Sequence, residues 1–360
     1  MAAGLDKALP LPKAAHDYSR RWRVRLYAFI GLVLLLMVVI MVGLAVGSAR
    51  VPLGSVGGIL LSRLPLVDIT PDWTQGMEMI VIDIRLPRVL LAGIVGAALA
   101  VAGTTYQGLF RNPLADPYLM GVAQGAALGA VAGFFLPWSV AGFGLVPVLA
   151  FIGALAAVAV VYSVARVGKT LPVTTLILAG VALGSFLASI TSYMMTISGE
   201  KLHGIFSWLV GSFSASGWEQ VGMVIPYVVV GVGVIWLYAR PLNIMQLDEE
   251  QAQQLGVDVE RTKLVLLVAA TLITAAAVCF VGTIGFVGII VPHAVRLIWG
   301  PDHRFLLPLA TFAGASFLIL ADIAARTVLA PTEIPVGVIT AFVGAPFFLY
   351  LLRNKKRAVF

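Results

Sequence analysis

Residues 240–263, RPLNIMQLDEEQAQQLGVDVERTK, form the longest polar interruption in the second half of a chain that is otherwise a series of apolar segments. The stretch holds five of the seventeen carboxylates of the protein: Asp248, Glu249, Glu250, Asp258 and Glu260. Its apolar residues Leu247, Ala252 and Leu255 are spaced by five and three, which predicts a rough helical stripe, and Gly256 follows where a helix would end. We therefore expect a short amphipathic helix between two membrane spans, suited to docking a soluble partner.

The composition identifies the chain as an integral membrane protein. Hydrophobic residues make up 60% of the 360 residues, charged residues make up 11%, and the mean hydropathy is +1.00; a soluble domain of this length does not reach such values. The net charge of +7 is interpreted as membrane topology rather than nucleic-acid binding, because Lys and Arg collect on cytoplasmic loops. The single cysteine, Cys279, lies in an apolar segment, so neither a disulfide framework nor a cysteine metal site is predicted.

Ten apolar segments are predicted to cross the membrane as one permease domain over residues 26–352, since a bilayer core of about 30 Å needs about 20 apolar residues per helix. The predicted spans are 26–47, 88–109, 117–137, 145–166, 172–197, 221–239, 263–283, 285–299, 305–326 and 335–352. Residues 1–25 are predicted to be a disordered basic leader and 353–360 a tail, both cytoplasmic. The boundary near Thr283 is weak, so a single bent helix across 263–299, and with it nine spans, stays open.

The distribution of basic residues predicts the orientation. With ten spans and the N-terminus inside, eighteen Lys and Arg residues fall on inner segments and six on outer ones. Such an excess of positive charge is typical of the cytoplasmic side. An odd number of spans would place the basic tail outside, so the count favours ten spans with both termini inside.

The spans themselves carry little chemistry. Gly121, Gly125, Gly129 and Gly133 recur every four residues, which predicts a close helix–helix contact or, as the alternative, a flexible hinge. No Asp, Glu, Lys or Arg lies at the midpoint of any predicted span, where a transporter driven by protons or sodium would usually need an ionisable residue. His293 lies one residue from the centre of the span 285–299 and is interpreted as structural. The energy source is therefore expected to be a partner bound to the inner loops.

Four long segments resemble one family of transporters. They are RLPRVLLAGIVGAALAVAGTTYQGLFRNPLADPYLMGV (85–122), LILAGVALG (176–184) with LGV (255–257), IGFVGIIVPHAVRLIWGPDHRFLLP (284–308), and LADIAARTVLAPTEIPVGVITAFVGAPFFLYLL (320–352). In the same order, these segments resemble the FecCD-type permeases of iron-siderophore, haem and cobalamin ABC importers, which are type II importers similar to the cobalamin permease. The resemblance covers nearly all of the chain from residue 80 onward.

The resemblance implies an all-α permease of ten transmembrane helices. Its expected partners are a second permease copy, in a homodimer, two ATP-binding subunits below, and a periplasmic or lipid-anchored substrate-binding protein above. The loop between spans six and seven would form the coupling helices, about 242–259, with the ATPase contacts at Leu247, Glu250, Leu255, Gly256 and Val257. The chain has no GxxxxGK[ST] motif and is not expected to be an enzyme or to bind a cofactor, so ATP and Mg would bind the partner ATPase.

The resemblance also implies that Arg85, Arg88 and Arg326, at the outer ends of two spans, receive acidic groups of the binding protein. Arginine suits this role because its planar guanidinium holds a carboxylate with two hydrogen bonds. Two alternatives stay open. Arg85 and Arg88 could anchor their span at the membrane interface, and Arg326 could pair with Asp322, four residues earlier on the same helix.

At the inner mouth, the resemblance places a cytoplasmic gate in two loops. The implied gate residues are Asn112, Leu114, Val173 and Thr174, with an ordinary turn at Asn112–Pro113 as the alternative. The fifth span would line the pathway. Its implied lining residues are Ser185, Ser189, Ser192 and Met195, a mildly polar surface without a metal-ligand cluster. His203, just outside this span, is interpreted as a solvated loop residue rather than a haem contact.

We expect a multi-pass protein of the plasma (inner) membrane of a prokaryote that imports a metal chelate. An iron-siderophore or haem is the first choice of cargo on prevalence within the family, and cobalamin is the alternative. The alternative from another class is a secondary transporter that needs no ATPase. The missing midplane charge and the acidic inner helix favour the ATP-driven importer.

Overall fold

A computed structural model describes residues 13–47, 49–63, 70–140, 143–168 and 170–354. This part of the chain is almost entirely helical. Its helices are α1 (Lys13–Ala45), α2 (Leu53–Ser62), α3 (Gln75–Met79), α4 (Leu86–Leu109), α5 (Val122–Phe135), α6 (Leu145–Ala165), α7 (Val173–Thr196), α8 (Leu202–Leu209), α9 (Trp218–Leu237), α10 (Ala239–Ile244), α11 (Glu249–Gln254), α12 (Val259–Val281), α13 (Val287–Trp299), α14 (His303–Thr327) and α15 (Val336–Asn354). A π-helical turn (Ile80–Arg85) joins α3 to α4, 3-10 turns cover Pro117–Met120 and Gly199–Lys201, and Ser139–Val140 (β1) pairs antiparallel with Phe143–Gly144 (β2).

The predicted spans correspond one for one to ten of these helices. Within the described residues, seven helical stretches are long and apolar enough to cross a membrane, and α5, α13 and α15 are shorter apolar helices at the positions of the remaining three predicted spans. The all-α fold class is therefore confirmed. The number of crossings and the inner location of both termini stay predictions.

The weak boundary near residue 283 is a break between two helices. Helix α12 ends at Gly282, whose φ of 78° lies in a region that favours glycine, and α13 begins after Phe286, which has a φ of 69°. Across the break, the amide of Ser212 donates to the carbonyl of Val281 at 2.8 Å, and the Thr283 hydroxyl donates to the carbonyl of Leu209 at 2.5 Å. The loop after α8 thus satisfies the backbone where the helix is interrupted.

Two boundaries differ from the sequence prediction. Helix α1 begins at Lys13, so residues 13–25 are helical rather than disordered; residues 1–12 of the predicted leader lie outside the described part. The second predicted span begins at residue 88, whereas helical structure already begins at Gln75 and continues through the π-helical turn to Leu109. Charged residues (Glu78, Asp83 and Arg85) are interspersed among the apolar ones in this first part, so hydropathy predicts a later start for the apolar span.

Helix α4 forms the centre of the fold and packs on α14, α12 and α13. Glycines permit this packing, because lipid-embedded helices associate by close van der Waals contact rather than by a hydrophobic driving force. A Cβ added at Gly103 would overlap the backbone of Gly288 in α13, and one added at Gly96 would overlap the carbonyl of Gly314 in α14. The backbones of these helices are therefore in direct contact.

The predicted glycine stripe is a packing surface between α5 and α6. A Cβ at Gly125 would overlap the carbonyl of Gly153, one at Gly129 would overlap the carbonyl of Leu149, and one at Gly133 would lie 2.7 Å from the Cα of Val146. Gly121 precedes α5 in a left-handed conformation, with a φ of 77°, and is not part of the stripe. The structure thus supports the packing interpretation for three of the four glycines.

Contacts between loops agree with the predicted topology. On the predicted inner side, Arg25 pairs with Asp302 at 3.7 Å and Arg111 with Asp248 at 3.1 Å. On the predicted outer side, Arg88 pairs with Glu333 at 2.9 Å. Each of these ion pairs joins segments assigned to the same side of the membrane, as expected if the helices between them alternate in direction.

Candidate coupling and gating site

The polar stretch 240–263 folds into two short helices, α10 and α11, before α12 begins. Helix α11 ends in a Schellman motif: the amide of Val257 donates to the carbonyl of Ala252 at 3.0 Å, and the amide of Gly256 donates to that of Gln253 at 2.9 Å. Gly256 has a φ of 83°, a conformation that an L-residue adopts only with strain. The predicted helix stop at Gly256 is confirmed.

The predicted apolar stripe of this stretch is wrong in its geometry. Helix α11 covers only Glu249–Gln254, so Leu247 and Leu255 lie just outside its two ends rather than on one helical face. Ala252 is fully buried, whereas the exposed fractions of Leu247 and Leu255 are 47% and 62%. Ala252 is therefore the one apolar residue of the predicted stripe that packs inside the protein, and the two leucines lie on the surface.

Most of the predicted coupling residues are exposed. Glu250 and Gly256 are exposed and Val257 is half-buried, next to the two exposed leucines. Exposed apolar side chains beside carboxylates are what a protein partner can cover and pair with. The assignment of these residues to ATPase contact stays a prediction.

The residues between α10 and α11 (246–248) are attached to the C-terminal end of α4 by two sets of hydrogen bonds. The guanidinium of Arg111 donates through Nη1 to the carbonyl of Leu247 and to Oδ1 of Asp248, both at 3.1 Å. The side-chain amide of Gln246 donates to the carbonyl of Gly108 at 3.0 Å. Arg111 directly precedes the predicted gate residue Asn112, so the segment between α10 and α11 is hydrogen-bonded to that loop.

A second set of hydrogen bonds attaches α10 to the start of α14. Asn243 donates through Nδ2 to Oδ1 of Asp302 at 2.7 Å and accepts at Oδ1 from the amide of His303 at 2.8 Å. The Nδ1 atom of His303 lies 2.7 Å from the same amide oxygen of Asn243. Together with the Arg25–Asp302 pair, these bonds attach α10 to the N-terminal end of α14.

The first predicted gate loop is a tight turn. Asn112 accepts at Oδ1 from the amide of Leu114 at 2.9 Å, and its carbonyl accepts from the amide of Ala115 at 3.1 Å. Arg111 has a φ of 47°, which is uncommon for a non-glycine residue. Asn112 thus makes the turn contacts of the alternative interpretation, while Leu114 is half-buried. A turn does not exclude a gate, and the gate role of both residues stays a prediction.

The second predicted gate loop leads into α7. Pro172 is the N-cap residue of this helix, Val173 is its first residue and is half-buried, and Thr174 is exposed. The preceding chain turns back on itself between Val167 and Thr170, whose backbones exchange two hydrogen bonds of 3.0 Å. Neither predicted gate residue in this loop has a side-chain hydrogen bond among those described, so their gate role rests on the resemblance.

Asp116 and Tyr118 organise the first gate loop, and the sequence reading gave them no role. Asp116 accepts at Oδ1 from the amide of Tyr118 at 2.8 Å and caps the 3-10 turn. Burial raises the pKa of the Asp116 carboxyl to about 6. The Tyr118 hydroxyl lies 3.0 Å from both the carbonyl and the amide of Ile284. This loop is therefore joined to the break between α12 and α13.

The predicted lining residues lie on the least enclosed long helix. Only 17% of the apolar window of α7 is buried within the described structure. Ser185, Ser189 and Ser192 are exposed and Met195 is half-buried. Ser185 and Ser189 donate to backbone carbonyls four residues earlier, so their hydroxyls are satisfied and present a weakly binding surface. The lining role stays a prediction.

No group of three or more His, Cys, Asp or Glu side chains in the described residues could hold a metal ion. His203 is exposed at the start of α8.

The three outer arginines point into the protein. Arg85 donates to the carbonyls of Leu44 at 2.7 Å and Ala45 at 3.0 Å, and to that of Ala49. Arg326 donates to the carbonyl of Gly43 at 3.1 Å. Both therefore cap the C-terminal end of α1, where the last carbonyls lack helical donors and the helix dipole attracts a cation.

Arg88 also has internal partners. Its guanidinium donates to Asp322 through Nε at 3.0 Å and Nη2 at 2.9 Å, and to both carboxylate oxygens of Glu333 at 2.9 Å. Asp322 in turn pairs with Arg326 at 3.1 Å, as the intrahelical alternative predicted. The docking role of the three arginines stays a prediction, but each guanidinium in this structure is occupied by the chain itself.

A bundle of apolar helices, with an exposed acidic segment attached to the loop after α4, is the arrangement expected of the membrane-spanning permease of an ABC importer. The chain belongs to the FecCD transport family, whose profile matches residues 34–354. This membership confirms the resemblance drawn from the sequence.

Relatives and a solved structure agree with this assignment. The chain is 51% identical over 279 residues to the cobalamin import system permease BtuC of Halobacterium salinarum, covering 78% of this chain and 74% of the relative. It is 39% identical over 347 residues to the hemin transport permease HmuU of Yersinia pestis, covering 93% and 98%. A metal-chelate type ABC transporter solved in an inward-facing conformation matches with a TM-score of 0.78 and 31% identity, covering 91% and 98%.

Proposed function

We propose that this protein is the translocation subunit of an ATP-driven importer that moves a metal chelate into the cytoplasm of a prokaryotic cell. Its partners would be two ATP-binding subunits, a substrate-binding protein and a second copy of the permease, in the plasma (inner) membrane. ATP and Mg would bind only the ATP-binding subunits. The family favours this function over a secondary transporter without an ATPase.

One observation carries the proposal: the exposed segment between α10 and α11 is attached to the loop that holds the predicted gate. Asp248 and the carbonyl of Leu247 are bound by Arg111, next to Asn112. A soluble motor that displaces the exposed side of this segment would therefore pull on the α4–α5 loop. The acidic residues of the segment also suit an ATPase cleft that offers basic or amide groups.

The low burial of α7 supports the second permease copy. A long helix with most of its surface uncovered needs either lipid or a partner, and small residues such as serine are enriched where transmembrane helices pack on one another. Ser185, Ser189 and Ser192 lie on the exposed part of α7. In a homodimer, two such helices would face each other across a pathway of mildly polar side chains.

For the cargo, we propose cobalamin in place of the iron chelate preferred on prevalence, on the strength of one relative named for cobalamin import that is 51% identical to this chain. A second relative, named for vitamin B12 import, is 35% identical, and those named for hemin and ferric dicitrate transport are each 39% identical, so the binding protein has to decide the cargo. We expect the cognate binding protein to bind cyanocobalamin more tightly than haemin or ferric citrate, measured by calorimetry with each probe. Tighter binding of haemin or ferric citrate would return the assignment to an iron chelate.

The coupling role is tested by Leu255→Asp in the reconstituted complex of permease, ATP-binding subunits and binding protein. Leu255 is 62% exposed in the isolated chain, so the substitution should leave the permease folded. If a partner covers this site, the new carboxylate is buried without a counter-charge, and we expect ATP-driven uptake of cyanocobalamin into proteoliposomes to fall about tenfold or more.

Leu255→Met is the matched control, because it keeps an apolar side chain of similar volume and should transport at nearly the parental rate. Thermal midpoints of the two variants in detergent should agree with that of the parent. Parental uptake by Leu255→Asp would contradict the assignment of this segment to ATPase contact.

A further inference from the structure

Lys263 lies near the start of α12, and its side chain is only 5% exposed. Its ammonium donates to Oε2 of Glu249 at 2.8 Å, to Oε1 of Glu260 at 3.1 Å and to the backbone carbonyl of Leu171 at 3.1 Å. A lysine ammonium has three N–H donors, so each donor has its own acceptor. The sequence reading used this lysine only as one of the inner positive charges.

The three acceptors belong to three different parts of the molecule. Glu249 is the first residue of α11, Glu260 is on α12 itself, and Leu171 is in the loop before α7. The carbonyl of Leu171 precedes Pro172, the N-cap residue, and so lies outside the hydrogen-bond ladder of α7. Leu171 is 3% exposed, and a buried carbonyl requires a donor, which Lys263 provides.

We propose that Lys263 is a positioning residue that transmits the displacement of α11 to the loop entering α7, and so to Val173 and Thr174. The inference rests on the proposed function, since it specifies how one half of the predicted gate follows the motor. The other half has its own connection, through Arg111 and Asp248. The two connections reach different loops, so the two sides of the gate can be tested separately.

The chemistry of the site suits a mechanical link. The ammonium is buried, so the folded state loses free energy of stabilisation if either the Glu249 carboxylate or the Leu171 carbonyl moves away from it without the other. An apolar side chain would fill the same space without requiring Glu249 and the Leu171 carbonyl to move together, because dispersion contacts lack the direction and the charge of these bonds. Arg111 and Asp248, whose side chains are 42% and 75% exposed, exchange their contacts with water more easily than Lys263 does.

The test measures each half of the gate in the full complex with the cognate ATP-binding subunits. Cys279 is the single cysteine, so Cys279→Ala provides a cysteine-free parent for Thr174→Cys or Leu114→Cys. A membrane-impermeant maleimide reports the labelling rate of each new cysteine in nanodiscs, without nucleotide and after trapping with ATP and vanadate. In the parent, we expect the rate at both positions to differ between the two states.

Lys263→Met should reduce the difference in labelling rate between the two nucleotide states about tenfold at position 174, which is the effect of losing a hydrogen bond to a charged group. At position 114 this difference should stay within about twofold of the parent, because the Arg111 connection is separate. Glu249→Ala breaks the same link from the other side and should behave like Lys263→Met. Glu260→Gln is the matched control, since it leaves the contacts of Lys263 with Glu249 and Leu171 in place and should keep the difference at position 174.

The outcomes separate this inference from the proposed function. Two results would overturn the role of Lys263 and leave the coupling function standing. One is an unchanged labelling-rate difference at position 174 in both Lys263→Met and Glu249→Ala. The other is an equal loss of this difference at positions 174 and 114. If neither position of the parent responds to nucleotide, the proposed function and this inference both fail. Size-exclusion chromatography of each complex identifies any variant that does not assemble. Lys263→Met and Glu249→Ala change different helices, so if one of them does not assemble, the other still tests the link.

Discussion

Gly103→Val is expected to prevent stable packing of the permease. Gly103 lies on α4 where this helix crosses α13, and a single Cβ at this position would already overlap the carbonyl and Cα of Gly288. Both sides of the contact are backbone, so no side chain can rotate away, and the two helices must separate. We expect a loss of about 3 kcal/mol or more, at or beyond the upper end of the cost of overpacking, measured as a lower thermal midpoint and a lower yield of monodisperse protein in detergent.

Gly233→Ala is the control for Gly103→Val. Gly233 is an exposed residue of α9, and a Cβ added there meets no atom within 4 Å. Replacing glycine by alanine in a helix improves helix propensity by about 1 kcal/mol, so this variant should be as stable as the parent or more stable. A parental midpoint for Gly103→Val would show that α4 and α13 are not in direct backbone contact.

The positions of the apolar helices could be predicted from the sequence because the bilayer imposes their length and hydropathy. The predicted segment 145–166 is α6 to within one residue at its end, and 172–197 agrees with α7 equally well. The helical start of α1 at Lys13 could not be predicted in this way, since its first residues are polar. The left-handed turn at Gly121 likewise interrupts a glycine spacing that looks regular in the sequence.

The partners of the charged residues could not be predicted, because most of these partners are backbone carbonyls or residues far away in the sequence. Arg85 and Arg326 bind backbone carbonyls of α1, and any residue type can provide a carbonyl. Arg88 and Asp322 are 234 residues apart, and only the packing of α4 on α14 brings them together. The pairing of Asp322 with Arg326 was foreseen as an alternative because a spacing of four on a helix is a local property.

The arginine contacts change how the predicted docking role must be tested. Charge reversal at Arg85 or Arg88 would remove the caps of α1 or the partner of Asp322, so a loss of binding-protein affinity in such variants would have a structural explanation. Of the two carboxylates that pair with Arg88, Glu333 is the more accessible, with a side chain that is 40% exposed against 1% for Asp322. Stability must therefore be measured beside affinity for every outer variant.

Asp322→Ala is expected to destabilise the outer side of the helix bundle strongly. The Asp322 side chain is 1% exposed and forms ion pairs with Arg88 and Arg326, whose side chains are 11% and 6% exposed. Its removal leaves two enclosed guanidinium groups that repel each other, with Glu333 as the one remaining carboxylate described beside them. Breaking a buried ion pair in this way costs about 3–5 kcal/mol, and we expect the thermal midpoint in detergent to fall accordingly.

Glu333→Ala tests whether burial determines the size of this effect. It removes a carboxylate from the same arginine, but Glu333 is partly exposed and Arg88 keeps its hydrogen bonds to Asp322. Partly exposed ion pairs contribute about 1 kcal/mol or less, so the midpoint should be close to that of the parent. Equal losses for the two variants would contradict the geometry, because that result requires Asp322 to be as accessible to water as Glu333. A large loss for Asp322→Ala alone would identify Asp322 as the residue that holds α4 and α14 together at the outer face.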